Sequence, residues 1–183
     1  MESGRQLRNL SLIGFMGTGK SSVGQMAASA LQFAFVDTDE MIETRTGTSV
    51  TEIFQRHGEP VFRDWESRIV RELAGRSGTV IATGGGLPAE NGNLASLKSH
   101  SLVVCLWATP EKIYSRVKMQ THRPLLHDPD PLAKIRALLA AREAYYKQAD
   151  VLLNTEFRSA REVAQQIVHH FRMASVAQSE RCD

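Results

Sequence analysis

The chain has 183 residues, of which 42% are hydrophobic and 23% charged, and a formal net charge of +2. This is ordinary material for one globular domain with a buried core, and it excludes a chain too polar to fold. There is no long run of like charge and no apolar stretch of membrane-spanning length, which argues against a nucleic-acid tail, a polybasic membrane patch or a transmembrane protein.

Leu10, Leu12 and Ile13 form a short apolar run that predicts a buried strand. Gly14 to Ser21 follow at once and fit G-x-x-x-x-G-K-[ST], the phosphate-cradling loop. Its glycines allow close backbone approach, and its N–H groups can converge on phosphate oxygens. Lys20 would reach the outer phosphates and the Ser21 hydroxyl would ligate Mg²⁺. Val23, Met26, Ala27, Ala30 and Leu31 recur at helical spacing behind the loop, so its helix end adds positive potential.

A second strand is predicted over 33–36, running into Asp37 and Asp39, with helix from Glu40 to Arg45. Ser49 and Glu52 form a capping box for a helix that Gly58 can end, and Pro60 suits the first turn of a longer one reaching about Arg76. Strand 79–82 stops at Gly84-Gly85-Gly86, and a helix is expected over roughly 89–98. The unbroken apolar run 102–107 reads as a central strand buried on both faces. Thr109-Pro110 opens another helix, 120–131 is a proline-bearing loop, 132–148 is helical and 151–153 is the last strand. Ser159 and Glu162 cap a final amphipathic helix, and a disordered tail is expected from Met173. The alternation implies a parallel sheet with helices on both faces, with ligands at the carboxyl ends of the strands.

Cys105 and Cys182 form neither a metal spacing nor a disulfide framework, which suits a reducing compartment. Arg5 and Arg8 precede an apolar run that ends in the phosphate loop, so no signal peptide is read there. A soluble, cytoplasmic monomer is expected. The six histidines show no metal-site spacing and read as packing or surface residues.

The remaining candidates face an acceptor. Asp37 and Asp39, two apart at a strand end, should point to one side, one for the metal's water shell and one for an acceptor hydroxyl. Asp37 could equally be a helix cap. Arg63 and Glu66 lie one turn apart, either as a surface pair or as a guanidinium held ready for a substrate carboxylate. Nothing in strand geometry requires three successive glycines, and a bare backbone against a small substrate would explain them. Arg116 and Arg123 flank the proline-bearing loop, and Arg142 lies on the helix after it.

In this order the motifs resemble shikimate kinase, a family of the nucleoside-monophosphate-kinase-like P-loop fold. The likeness runs from about Leu10 to Phe171 and rests on Gly14–Ser21, Asp37-Thr-Asp39, Gly58-Glu-x-x-Phe-Arg63-x-x-Glu66, Thr83-Gly-Gly-Gly86, Arg123-Pro-Leu-Leu126 and Ala141-Arg142-x-x-Tyr145. Ser22, where the family more often has Thr, and Asp64-Trp65 depart from the pattern.

The resemblance implies a three-layer α/β/α fold around a five-stranded parallel sheet in order 2-3-1-4-5. It implies one kinase domain over 1–172, with a mobile lid at about 115–131 and an acceptor region at about 37–66. Gly17, Thr18, Gly19, Lys20, Ser21 and Ser22 would hold ATP, with Arg116 near the adenine. Ser21 and Asp37 would serve Mg²⁺. Arg63 and Arg142 would hold the shikimate carboxylate, with Asp39, Gly84, Gly85 and Gly86 against the ring hydroxyls. Lys20, Asp39 and the lid residue Arg123 would carry the transfer of the γ-phosphoryl group to the 3-hydroxyl. A gluconate or nucleotide kinase, and a GTP-dependent or catalytically silent nucleotide-binding module, remain the alternatives. The guanine-reading N-K-x-D sequence is absent.

Overall fold

The computed structural model describes residues 5–90, 92–119 and 128–179. Its five strands are all parallel, in the order β2-β3-β1-β4-β5. β1 (Asn9–Ile13), β3 (Thr79–Ala82) and β4 (Ser101–Trp107) form the buried middle, while β2 (Ala34–Asp37) and β5 (Val151–Asn154) are the edges. The continuous apolar run of β4 fits its central place: Leu102, Val104 and Leu106 face one side of the sheet, Val103 and Cys105 the other.

Each face has its own helices. α1 (Lys20–Leu31) and α7 (Ala160–Ser179) pack on one side through Val23, Ala27, Val163, Ile167 and Phe171. On the other side lie α2 (Thr38–Thr46), α3 (Val50–Leu73), α4 (Asn93–His100), α5 (Pro110–Val117) and α6 (Pro131–Tyr146). Their core includes Ile42, Phe62, Ile69, Leu97, Ile113 and Ile135. The expected three layers and strand order are present.

Both capping boxes form. Ser49 Oγ accepts from Glu52 N at 3.2 Å, and Ser159 N donates to the Glu162 carboxylate at 2.8 Å. The two helices expected around Gly58 are present as the two arms of α3, which meet at a kink where Gly58 adopts the non-helical angles φ 79°, ψ 171°. That positive-φ glycine ends the first arm and re-aims the second, which buries Phe62, Ile69, Val70 and Leu73 in the core.

Two expectations are corrected. The helix expected over 89–98 starts later, at Asn93, because Leu87–Ala89 is spent on a 3-10 turn leaving the glycine triplet. The expected disordered tail is helical as far as Ser179: Ala174 extends the apolar stripe of α7 onto the core, and Ser175 Oγ bonds the Phe171 carbonyl at 2.9 Å. Residues 180–183, and 120–127 of the expected lid with Arg123, His122 and His127, lie outside the described residues.

Candidate active site

The loop between β1 and α1 forms the floor of the site. Gly14 has φ 133°, and a Cβ there would overlap the Leu106 carbonyl oxygen of β4, so the loop can leave the strand only without a side chain. Gly19, at φ 96°, precedes the first residue of α1. Thr18 is buried, its hydroxyl donating to Phe15 O at 2.7 Å. Lys20 Nζ donates to Gly14 O at 2.8 Å and Phe15 O at 2.9 Å, folding the ammonium over the loop.

Ser21 Oγ donates to Asp37 Oδ2 at 2.8 Å, bringing the two expected metal-site residues together. They offer hard oxygens beside the phosphate loop, the donor set that Mg²⁺ prefers when most of its shell is water and phosphate. Asp37 is also the N-cap of α2, its Oδ1 accepting from Asp39 N at 3.0 Å. The cap and the site are therefore one device. Asp37 and Asp39 converge because a helix starts between them, not because they alternate along a strand.

A cleft of about 570 Å³ opens over these groups, lined among others by Lys20, Ser21, Asp37, Asp39, Gly84 and Gly85. A larger depression of about 820 Å³ lies between α1 and α7, remote from the phosphate loop. The smaller cleft is the site, because it alone of the two joins the loop, both aspartates and the glycine triplet.

The triplet is packed from three directions. A methyl on Gly84 would lie 2.7 Å from both Asp39 Oδ1 and Glu66 Oε1. One on Gly85 would meet Met16 N, Gly14 O and Arg142 Nη1 at 3.5–3.7 Å, and one on Gly86 would lie 2.6 Å from Arg63 Nη1 and Nη2. At Gly84 and Gly86 a side chain would displace the site's own Asp39, Glu66 or Arg63, a reason for glycine that the sequence alone did not show. Thr38 Oγ1 accepts from Gly84 N at 3.0 Å and ties the triplet to α2.

Arg63 is not a surface ion pair: its side chain is 11% exposed and that of Glu66 is fully buried. Arg63 Nη1 donates to Glu66 Oε2 at 2.7 Å, and Nη2 donates to Glu59 Oε1 at 2.6 Å. Glu90 stands 3.8 Å from Nε. Burial pushes Glu66 up to about 7, helped by the nearby charges of Asp39 and Glu90 and opposed by Arg63. Arg63 stays cationic, since Glu66 and Glu59 outweigh the cost of its burial.

Arg142 stacks its guanidinium over Phe15 at 5.6 Å. Arg116 Nη1 reaches the Gly17 carbonyl at 3.2 Å and Thr155 Oγ1 at 3.0 Å, fastening the phosphate loop to the turn after β5. Asp64 and Trp65 point elsewhere and engage Arg68. Sequence reasoning gave no role to Thr38 or Glu59, which lie within its motifs, and missed Glu90 and Tyr146; the motif's Tyr145 is 38% exposed, whereas Tyr146 turns inward. Cys105 is buried and its thiol pushed up to about 12, so it is an inert core residue. Among the described residues no cluster of three His, Cys, Asp or Glu could hold a metal, and no helix is long and apolar enough to cross a membrane.

A family model described as shikimate kinase matches residues 16–172. A shikimate kinase of Thermodesulfovibrio yellowstonii is 41% identical over 169 residues, covering 92% of this chain and 98% of its own. The solved shikimate kinase of Acinetobacter baumannii in complex with shikimate superposes with a TM-score of 0.87 at 36% identity, over 93% of this chain and 96% of that one. A gluconokinase of Sinorhizobium meliloti superposes with a TM-score of 0.63 at 16% identity, over 98% of this chain and 100% of that one, a likeness of fold alone.

Proposed function

The chain belongs to the shikimate kinase family, and it phosphorylates shikimate at the expense of ATP; from that premise we propose the roles of its residues. The observation that carries the proposal is the glycine triplet. A side chain on each of three successive residues would meet Asp39 with Glu66, then Arg142 with the phosphate loop, then Arg63, so donor and acceptor groups surround one short backbone segment.

Lys20 and the loop amides, from Gly17 to Ser22, take the ATP phosphates, and α1 lends its positive end. Lys20 leaves the Gly14 and Phe15 carbonyls to do so. Ser21 and Asp37 would hold Mg²⁺. When bound, the ion would offset the negative charge of the phosphates. Arg116 borders the adenine end. Arg63 and Arg142 grip the acceptor carboxylate from two sides, and that grip selects the hydroxyl presented to ATP. Asp39 aligns the 3-hydroxyl and accepts its proton as the O–P bond forms, giving 3-phosphoshikimate and ADP. Arg123, placed by its sequence position alone, adds positive charge to the transferring group.

Two monodentate or forked cations and a row of backbone suit a small anionic polyol better than a nucleotide, whose base would call for reading side chains. The proposed setting is the cytoplasm, where the protein would act as a soluble monomer. The test is ADP release by the purified protein with ATP and Mg²⁺ across shikimate, gluconate and nucleoside monophosphates, the product located by phosphorus NMR. Turnover restricted to shikimate, with phosphate on the 3-oxygen, is expected. Preference for gluconate or a nucleotide would overturn the acceptor assignment.

A further inference from the structure

Tyr146 has no part in the roles above, yet it sits against two of the groups assigned to the acceptor. It lies four residues after Arg142 on α6, so both side chains face the same way. It is 7% exposed, and its hydroxyl donates to the Gly85 carbonyl at 2.6 Å. The Arg142 guanidinium stands beside the same glycine, its Nη1 3.7 Å from where a Gly85 side chain would begin, and its charge acts on the phenol. A tyrosine hydroxyl has one proton to give and lone pairs to accept with, so it can serve both neighbours at once. Burial pushes the phenol up to about 12, which keeps the donated proton in place across the physiological range.

The consequence is mechanical. Gly84-Gly85-Gly86 has no side chains to restrain its backbone torsions, and such a segment is free to turn unless something holds its peptides. The peptide between Gly85 and Gly86 is trans and planar, so fixing its carbonyl fixes the direction of the Gly86 N–H. Among the described residues neither the Gly85 nor the Gly86 N–H has an acceptor, and Gly85 lines the cleft. Arg142, for its part, lies over the Phe15 face with the Tyr146 phenol acting on it from nearby.

We propose that Tyr146 is a positioning residue for the acceptor: its hydroxyl locks the Gly85 peptide and the Arg142 guanidinium into one unit, so that backbone and cation meet the substrate in register. This rests on the assignment of Arg142 and the glycine segment to the acceptor. It assigns no chemistry to Tyr146 itself, which stays protonated throughout.

The test compares wild type, Tyr146→Phe, Tyr145→Phe, Arg142→Ala and the Arg142→Ala/Tyr146→Phe pair by steady-state kinetics in both substrates, with Tm for each. Tyr146→Phe keeps the buried ring and removes one oxygen; it is expected to raise the KM for shikimate about 3- to 10-fold, the worth of a hydrogen bond, with the KM for ATP unchanged. Tyr145→Phe should match wild type. In the Arg142→Ala background, losing the hydroxyl should cost a smaller factor than in wild type, because the two groups work together. An unchanged shikimate KM, even with a lower Tm, overturns the proposal, as does an equal rise for both substrates or an equal factor in both backgrounds. Tyr146→Leu, which also lacks the hydroxyl, replaces Tyr146→Phe if that variant does not fold. Wild type inactive on shikimate would instead sink the acceptor assignment, a distinct result.

Discussion

The guanidinium of Arg63 lies against the Cα of Gly86, so close that a methyl there would sit 2.6 Å from both of its terminal nitrogens. Arg63 is a long side chain and can give way, whereas the backbone cannot. Gly86→Ala is therefore expected to fold, to push Arg63 off its place and to raise the shikimate KM while leaving that for ATP unchanged. Steady-state kinetics in each substrate and a thermal melt check this. Normal shikimate kinetics would mean that Arg63 need not occupy this position to work.

Three carboxylates face that one guanidinium: Glu66 at 2.7 Å, Glu59 at 2.6 Å and Glu90 at 3.8 Å. Glu59 takes both Nε and Nη2, donors that an incoming carboxylate could use. It is also the exposed member of the set, at 58%. Glu59→Gln removes a competing charge while Glu66 still orients the arginine. The shikimate KM should fall by about 2- to 5-fold, the scale of an exposed ion pair. A rise would show that Glu59 supports Arg63 rather than competing with its ligand.

Glu66 sets a pH dependence of stability. Burial holds its carboxyl at about 7 in the folded protein, against 4.5 for an unperturbed glutamate. Between those values the folded state keeps a proton that the unfolded state has lost, so this group's contribution to stability declines as pH rises through that window. Below it there is no difference, and above it the full cost of a buried carboxylate is present. Glu66→Gln cannot titrate. Melting temperatures of the two proteins should diverge from pH 5 to pH 8, wild type losing ground as pH rises. Parallel curves across that range would place Glu66 near its ordinary value.

How much of this could be read beforehand depends on distance along the chain. The phosphate loop is a contiguous octet between a strand and a helix, and the Arg63–Glu66 pair is a one-turn spacing; both are local and both were legible. The strand order came from resemblance, since alternation alone gives a parallel sheet without its order. The tail was misread because its polar composition hid the continuing stripe through Phe171 and Ala174. Glu90 reaches Arg63 only through the 3-10 turn after the triplet, which no pattern of composition reports, whereas Glu59 stands four residues before Arg63, a one-turn spacing that the sequence did carry. Choosing Tyr146 over Tyr145 requires the rotational phase of α6, which is set where Asp130 caps it and Pro131 begins it.

The central claim is that the acceptor and the nucleotide are held by separate groups meeting at the triplet, and titration calorimetry of Arg63→Ala with each ligand tests it most directly. Losing a buried, charge-assisted contact should weaken shikimate by roughly 1.5–3 kcal/mol, about 10- to 150-fold, while ADP binding stays within about twofold of wild type. Equal losses for both ligands, or none for shikimate, would contradict the account.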